Sequence, residues 1–373
     1  MDLVAAMLHQ SLLAEHRHAI EPIMFRPTMP QQFERLPLVG QSSRARNADR
    51  LVGRFIHYPR WLKRRTERPA VYHLVDHSYA HLVHSLPVAR TVVTCHDLDT
   101  FRSVLEPENE PRNPAFRAMT RHILSGLRRA ARVACDSIAT RDGILTHGLL
   151  PPERLEVVYL GVDPIMSPAP DPEADAHAAA ILGPADGTTI DLLHVGSTIP
   201  RKRIDVLLRT FAAVSAQIPE ARLVRIGGEF LPEQLDLVRS LAIDPVRIVV
   251  VPYMAQNRLA AIYRRAAVVL QPSSAEGFGL PVAEAMACGV PVVASDLAVL
   301  REVGGVAGEY CIVGDIPSWS GTVCAMLRQR RDDPDRWEAR RQAALQQSAQ
   351  FTWSRFTDRL VSIYEDVAQA TTA

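Results

Sequence analysis

The sequence predicts two doubly wound α/β domains, each a parallel sheet with helices on both faces. Three observations lead there. The chain has 373 residues, too many for one ordinary core and suited to two. Short apolar runs alternate with longer amphipathic segments, the pattern of parallel strands joined by crossover helices. The apolar runs show little polar–apolar alternation, so their strands are buried on both faces, as in parallel sheets.

In the first half, AVYHLVD (70–76), RTVVTCHD (90–97), RVACDS (132–137) and LEVVYLG (155–161) read as strands. The N-terminal MDLVAAMLHQSLLAEHRH reads as an amphipathic helix. Residues 113–131 carry apolar side chains at helical spacing and arginines in the last turn, which suit the negative end of the helix dipole. Ser137 stands where it caps a helix that ends at Gly148. A stretch rich in Pro, Asp and Ala, 163–189, then separates the halves like a linker with a short helix. Strands are expected again over 189–196, 221–228, 246–253, 267–273 and 290–295, with helices over 203–217, 257–266 and 281–289. Near the end, Trp353, Phe356, Leu360, Ile363 and Tyr364 make an apolar stripe at helical spacing that must be buried.

Composition narrows the function. Hydrophobic residues make up 47%, charged residues 22%, and the net charge is +1. That near-neutral balance argues against a nucleic-acid binder, which needs many phosphate contacts. No apolar run reaches the roughly 18 residues that span a bilayer, and the N-terminus lacks the basic start of a signal peptide. The expected location is cytoplasmic. Cys95, Cys135, Cys288, Cys311 and Cys324 are dispersed, form no C-x-x-C pair and read as reduced core thiols. The only lysines are Lys63 and Lys202. In a chain that otherwise uses Arg, a retained Lys suits a place for a compact point charge, such as a phosphate; chance explains it equally.

Polar residues gather after the carboxyl ends of the predicted strands: His96-Asp97, Gly196-Ser197, Gly227-Gly228-Glu229, Tyr253 and Glu276. Ligands of doubly wound sheets bind there, so an interdomain cleft is expected. The sharpest segment is EGFGLPVAEAMACGVPVVAS (276–295). A turn containing Gly277, Phe278, Gly279 and Leu280 leads into a helix with Pro281 at its first turn. Glycines admit a ligand close to backbone amides at a helix N-terminus, an anion site suited to a diphosphate. Glu276 and Glu284 flank the turn and can accept hydroxyl hydrogen bonds. Singly, each reads at least as readily as a loop charge or an ordinary helix-start carboxylate. A dinucleotide fingerprint is disfavoured by Val282, where a third glycine would stand.

That segment resembles the signature of family 4 retaining glycosyltransferases, with Glu276 and Glu284 matching the family's Glu-x7-Glu spacing. HVGSTIPRKRIDVLLRTFAAV (194–214) resembles its diphosphate-binding strand–loop–helix, with Arg201 and Lys202 in the Arg-Lys position. VVTCHDL (92–98) and VACDSIATRDGI (133–144) resemble the family's first-domain strands. The resemblance implies a GT-B fold, with domains over 1–165 and 166–352 and a last helix (353–373) crossing back to the first. It implies transfer of a hexose from a nucleotide diphosphate sugar to a glycan, lipid-linked or small-molecule acceptor. The anomeric configuration would be retained, without metal or cofactor. Lys202 and Arg201 would offset diphosphate charge, Glu276 would touch the sugar, and Glu284 the ribose. Gly196, Ser197, Gly228, Tyr253 and the 277–280 turn would line the donor. His96 would approach the reacting centre, with His77, Asp97 and Ser137 on the acceptor side.

Two departures stand out. Ser197 occupies a place where many members have Arg, and residues 1–50 carry no clear first strand. GRFIHYPRWLKRRTERP (53–69) interleaves aromatic and basic residues; it suits either contact with an anionic membrane at the inner face or a solvated basic surface, and Pro59 is expected to interrupt any long helix there. His77, His81 and His84 are at helical spacing but lack a carboxylate partner for a metal. Two alternatives remain: a degenerate partner that binds sugar nucleotide without turnover, and a sugar-nucleotide epimerase.

Overall fold

The computed structural model describes residues 2–28, 30–35, 42–184 and 186–370. It divides into two compact units, Met1–Tyr159 with Trp353–Ala373, and Leu160–Thr352. The expected boundary at 165/166 thus falls six residues later than the observed one at 159/160.

The first unit carries a four-stranded parallel sheet of β1 (Tyr72–Leu74), β2 (Thr91–Cys95), β3 (Arg132–Cys135) and β4 (Leu155–Val157), in that spatial order. All five residues of β2 are buried, as its unbroken apolar run requires. The helix Pro114–Arg129 has Asn113 as its cap, accepting from Phe116 N, and presents Ile123, Leu124 and Leu127 to the core. Ser137 caps Ile138–Thr146 by accepting from Thr140 N. Among the described residues no strand precedes β1.

Two expectations in this unit are corrected. His77–Ser85 is a 3-10 helix, not an α-helix. Pro59 does not break the helical path either. Ser43–Val52 runs into a π-helical turn, Gly53–His57, and on into Tyr58–Lys63. The wider turn pairs Tyr58 N with Gly53 O, and the proline then sits in a first turn, where its missing N–H costs nothing.

The C-terminal helix, Trp353–Ala370, belongs to the first unit. It packs on the N-terminal helix Asp2–Glu15 and on β3. Its stripe is buried at Trp353, Phe356, Leu360 and Ile363. Tyr364 Oη lies 2.6 Å from His73 Nδ1, and His73 Nε2 lies 2.8 Å from Thr94 Oγ1, which ties the helix to β1 and β2.

The second unit is a six-stranded parallel sheet: β5 (Ile190–Val195), β6 (Ala221–Ile226), β7 (Ile248–Val251), β8 (Val268–Gln271), β9 (Val292–Ser295) and β10 (Glu309–Cys311). Their order is β10-β9-β8-β5-β6-β7. Sequence reading missed β10, which is three residues long. The order reverses between β5 and β8, so the chain leaves these two strands in opposite directions and opens a crevice beyond their carboxyl ends. All five cysteines are free and buried. No helix among the described residues is long and apolar enough to cross a membrane.

Leu360 is fully buried. Leu360→Ala is expected to lower stability by about 2–5 kcal/mol in urea unfolding. A loss below about 1 kcal/mol would show that the last helix is only loosely docked on the first unit.

Candidate functional site

In the second unit, three loops leave neighbouring strands at the crevice. The first follows β5. Gly196 and Ser197 lead to a 3-10 turn, Pro200–Lys202, that delivers Arg201 and Lys202. The second follows β6. Gly227 has φ +128, and a Cβ there would collide with the Gly196 carbonyl oxygen, so only glycine lets these two strand ends touch. The third follows β8 and holds Glu276 and the glycine turn. Gly279, with φ +94, caps the helix Leu280–Ala287, and a Cβ on it would meet Leu300 Cδ2 at 2.6 Å.

Glu276 joins the first loop to the third. Its Oε1 accepts from Lys202 Nζ at 2.6 Å, Gln271 Nε2 at 2.6 Å and Ser273 Oγ at 2.7 Å. Arg201 Nη1 donates to the Ala275 carbonyl at 3.0 Å and lies 3.4 Å from Glu276 Oε2. Burial works against a charge on Glu276, but Lys202 and its other partners outweigh burial and hold the carboxyl below its ordinary value. Lys202 is itself 8% exposed. A carboxylate held in its ionised form thus stands beside the Lys202 side chain at the mouth of the crevice.

Glu284 differs. It is buried on its helix, and Oε2 accepts from Tyr263 Oη at 2.9 Å. Among the described residues Oε1 has no protein donor. Burial pushes this carboxyl from 4.5 up to about 7, with the Tyr263 bond opposing and Asp163 adding to the rise. Phe278 is buried edge-on against Phe351, ring centroids 5.3 Å apart. Tyr253 is 66% exposed, beside Gly227. The structure therefore brings together Gly196, Ser197, Arg201, Lys202, Gly228, Glu276 and the 277–280 turn.

In the first unit, His96 uses both ring nitrogens internally. Nδ1 lies 2.6 Å from Asp136 Oδ2 and Nε2 2.8 Å from the Val75 carbonyl. Burial disfavours its charge, but Asp136 more than compensates and raises it to about 9, so the proton stays on the imidazole. Neither nitrogen is left to meet a sugar in this arrangement. His77 is neutral, pushed down to about 4 by burial and then by His96. Its Nδ1 accepts from His96 N at 3.2 Å, which puts the proton on Nε2, 3.1 Å from Thr100 Oγ1 and 3.5 Å from Asp97 Oδ1. Ser137 is fully buried, and its hydroxyl serves the helix cap. Expected as an acceptor-side group, it is structural instead. A cavity of about 240 Å³ opens nearby, lined among others by Arg54, Ser78, Asp99, Thr100, Glu110 and Arg112.

The rings of 53–69 face inward. Phe55 lies tilted against His81, ring centroids 4.4 Å apart, and Tyr58 Oη donates to the Phe25 carbonyl at 3.0 Å, while Trp61 meets Phe25 edge-on at 5.9 Å. That leaves basic side chains, not aromatic ones, on the outside.

Sequence reasoning missed Gln271, Ser273 and Tyr263, which hold the two carboxylates. Gln271 had a signal: it ends an otherwise apolar strand and is fully buried. Asp136, the partner of His96, also closes an apolar run.

Comparison with known proteins agrees with the geometry. Residues 9–165 match the family model described as Glycosyltransferase Family 4, and residues 189–329 the model described as Glycosyl transferases group 1. The chain belongs to the family 4 glycosyltransferases. One relative of this family member is the D-inositol 3-phosphate glycosyltransferase of Thermobispora bispora, 33% identical over 293 residues, covering 74% of this chain and 65% of that protein. The chain thus spans just under two thirds of that curated relative's length. Among solved structures, WaaG, a glycosyltransferase involved in lipopolysaccharide biosynthesis, superposes with a TM-score of 0.71 at 14% identity, over 97% of this chain and 95% of its own. HepE of Anabaena, in complex with UDP, gives 0.65 at 18% identity, over 85% and 84%. At these identities the structures establish the GT-B fold.

The Glu284 carboxyl supplies a pH prediction. Its folded value of about 7 lies above the ordinary 4.5. Its contribution to stability is therefore full below pH 4.5 and is lost as pH rises through about 7. Glu284→Gln, which keeps the shape but cannot ionise, should gain about 2–3 kcal/mol on the wild type between pH 4.5 and 8. A stability difference that stays flat over that range in urea unfolding would contradict the raised value.

Proposed function

We propose that this protein is a retaining hexosyltransferase that moves a sugar from a nucleotide diphosphate sugar to a hydroxyl of a polar acceptor, without a metal ion. The observation that carries the reading is the Lys202–Glu276 pair at the mouth of the glycine-turn crevice. A departing diphosphate needs a cation beside it and a sugar hydroxyl needs an acceptor, and the pair supplies one of each.

The donor diphosphate would lie over the Gly196 and Gly279 turns, facing the first amides of the Leu280–Ala287 helix and its dipole. Lys202 and Arg201 would then exchange their contacts with Glu276 and the Ala275 carbonyl for phosphate oxygens. As the sugar–phosphate bond breaks, negative charge grows on the leaving oxygen, and a preorganised ammonium stabilises it more than it stabilises the ground state. Glu276, relieved of Lys202, would accept from a sugar hydroxyl, and Glu284 Oε1 from a ribose hydroxyl. These cations and the helix dipole would do the work of a divalent ion, which is why no metal is invoked.

The acceptor would occupy the first-unit cavity beside Thr100. Its mixture of hydroxyls, carboxylates and guanidinium groups suits a polyhydroxylated molecule. The relative's name points to an inositol phosphate for that protein; here the acceptor class extends to small polyols and glycans. Contact of 53–69 with an anionic membrane has less support, because its rings are engaged within the fold.

The test is release of nucleoside diphosphate from UDP-, GDP- and ADP-sugars offered with a panel of polyol and glycan acceptors, in excess chelator. Lys202→Ala should cut turnover about 10²–10³-fold. A variant that keeps more than about a tenth of wild-type turnover would move the role to another cation. Wild-type activity that vanishes with chelator and returns with manganese would overturn the metal-free mechanism. An inverted product anomer by NMR would overturn retention.

A further inference from the structure

Two of the polar side chains buried in the second sheet stand side by side on adjacent strands. His194 and Arg225 are register partners on β5 and β6. Each lies two residues before the glycine that ends its strand, and both are fully buried. Neither nitrogen of His194 has a partner among the described residues. Burial, then Arg225 and Lys202, push the ring down to about 3, so it sits neutral between the two cations.

Arg225 is bound in an unusual way. Nη1 donates to the Gly228 carbonyl, Nη2 to the Gly196 carbonyl at 3.2 Å, and the guanidinium lies 5.2 Å from the Phe230 ring centroid. Its Nε has no partner. The hydrogen bonds go to carbonyls, and no carboxylate among the described residues pairs with it. A buried guanidinium with no carboxylate in contact is costly, and burial lowers its proton affinity, with Tyr253 and Glu229 opposing from farther off. Lys202, by contrast, is neutralised by Glu276.

The peptide plane turns this clamp into a directional device. In a trans peptide C=O and N–H point opposite ways. Pinning the Gly196 carbonyl inward turns the Ser197 N–H away from the sheet. Pinning the Gly228 carbonyl does the same for the Glu229 N–H. Two amides from two loops are thereby turned toward the crevice, with a guanidinium beneath them whose hydrogen bonds go to carbonyls. That arrangement has the features of an anion site, and it stands where Ser197 replaces the more usual Arg.

We propose that Arg225 is a positioning residue for the donor diphosphate: it clamps the Gly196 and Gly228 carbonyls so that the following amides face the phosphates, and its buried charge offsets theirs from below. The role rests on the reading that the second unit binds a nucleotide diphosphate sugar. It adds a cation held by the sheet to those held by the loop.

The experiment is calorimetric titration of the full chain with UDP, GDP and ADP, and with uridine, guanosine and adenosine, for wild type, Arg225→Met and Arg225→Lys. Arg225→Met is expected to weaken the diphosphate by about tenfold or more and to leave the matching nucleoside within about twofold. Arg225→Lys, which keeps the charge but not the fork, should recover part of that loss. Wild-type diphosphate affinity in the methionine variant overturns the proposal, as does an equal loss for diphosphate and nucleoside. If the methionine variant does not fold, the lysine variant decides. A loss of about threefold or more confined to the diphosphate supports the clamp, and wild-type binding overturns it. A wild type that binds none of the three diphosphates overturns the donor reading, and the clamp with it.

Discussion

The ion pair between Lys202 and Glu276 organises the second unit's crevice. The two residues come from loops that follow β5 and β8, the neighbours at which the sheet order reverses. Each loop is a turn that contains glycine. The 2.6 Å contact, completed by Gln271 and Ser273, joins them. Buried ion pairs of this kind seldom add stability over an apolar pair of the same shape, because desolvation offsets the attraction. What they do is hold two charges in fixed places. In the proposed reading, a ligand with phosphates and hydroxyls takes over each partner's contacts.

The two units handle charge differently. In the first, His96 pairs with Asp136 and His77 is neutral. In the second, Arg201, Lys202 and Arg225 lie by the glycine turns, Glu276 is in contact with the first two and Glu229 acts on the third from farther off; Glu284 is pushed toward its neutral form. The local excess of cations over ionised carboxylates is what a diphosphate requires. Neutral Glu284 can still accept a ribose hydroxyl through Oε1, so its burial does not conflict with that role.

Much of this was legible in the sequence, because parallel strands buried on both faces leave long apolar runs, and the glycines and polar residues that follow them mark their carboxyl ends. Glu276, Lys202 and the 277–280 turn were found in that way. Residues inside the strands were harder. His194, Arg225 and Gln271 interrupt apolar runs, and each did so visibly, but a lone polar residue in a strand has many explanations until its cross-strand neighbour is known. The register that pairs His194 with Arg225 depends on sheet order, which no local pattern encodes. The π-helical turn before Pro59 was hidden for a related reason: a proline reads as a break unless the preceding turn widens to take up its missing donor. Ser137 shows the reverse error. Its capping role was evident from position, and the additional acceptor role came only from resemblance; burial leaves it the cap.

The central claim is that the loops after β5, β6 and β8 form one nucleotide diphosphate site. Amide hydrogen exchange of the full chain with and without UDP, GDP and ADP tests it most directly. The account predicts that at least one diphosphate slows exchange together at 196–202, 227–229 and 277–284, and leaves β1 to β4 unchanged. Protection confined to the first unit, or absent from all three loops with every diphosphate, would contradict it.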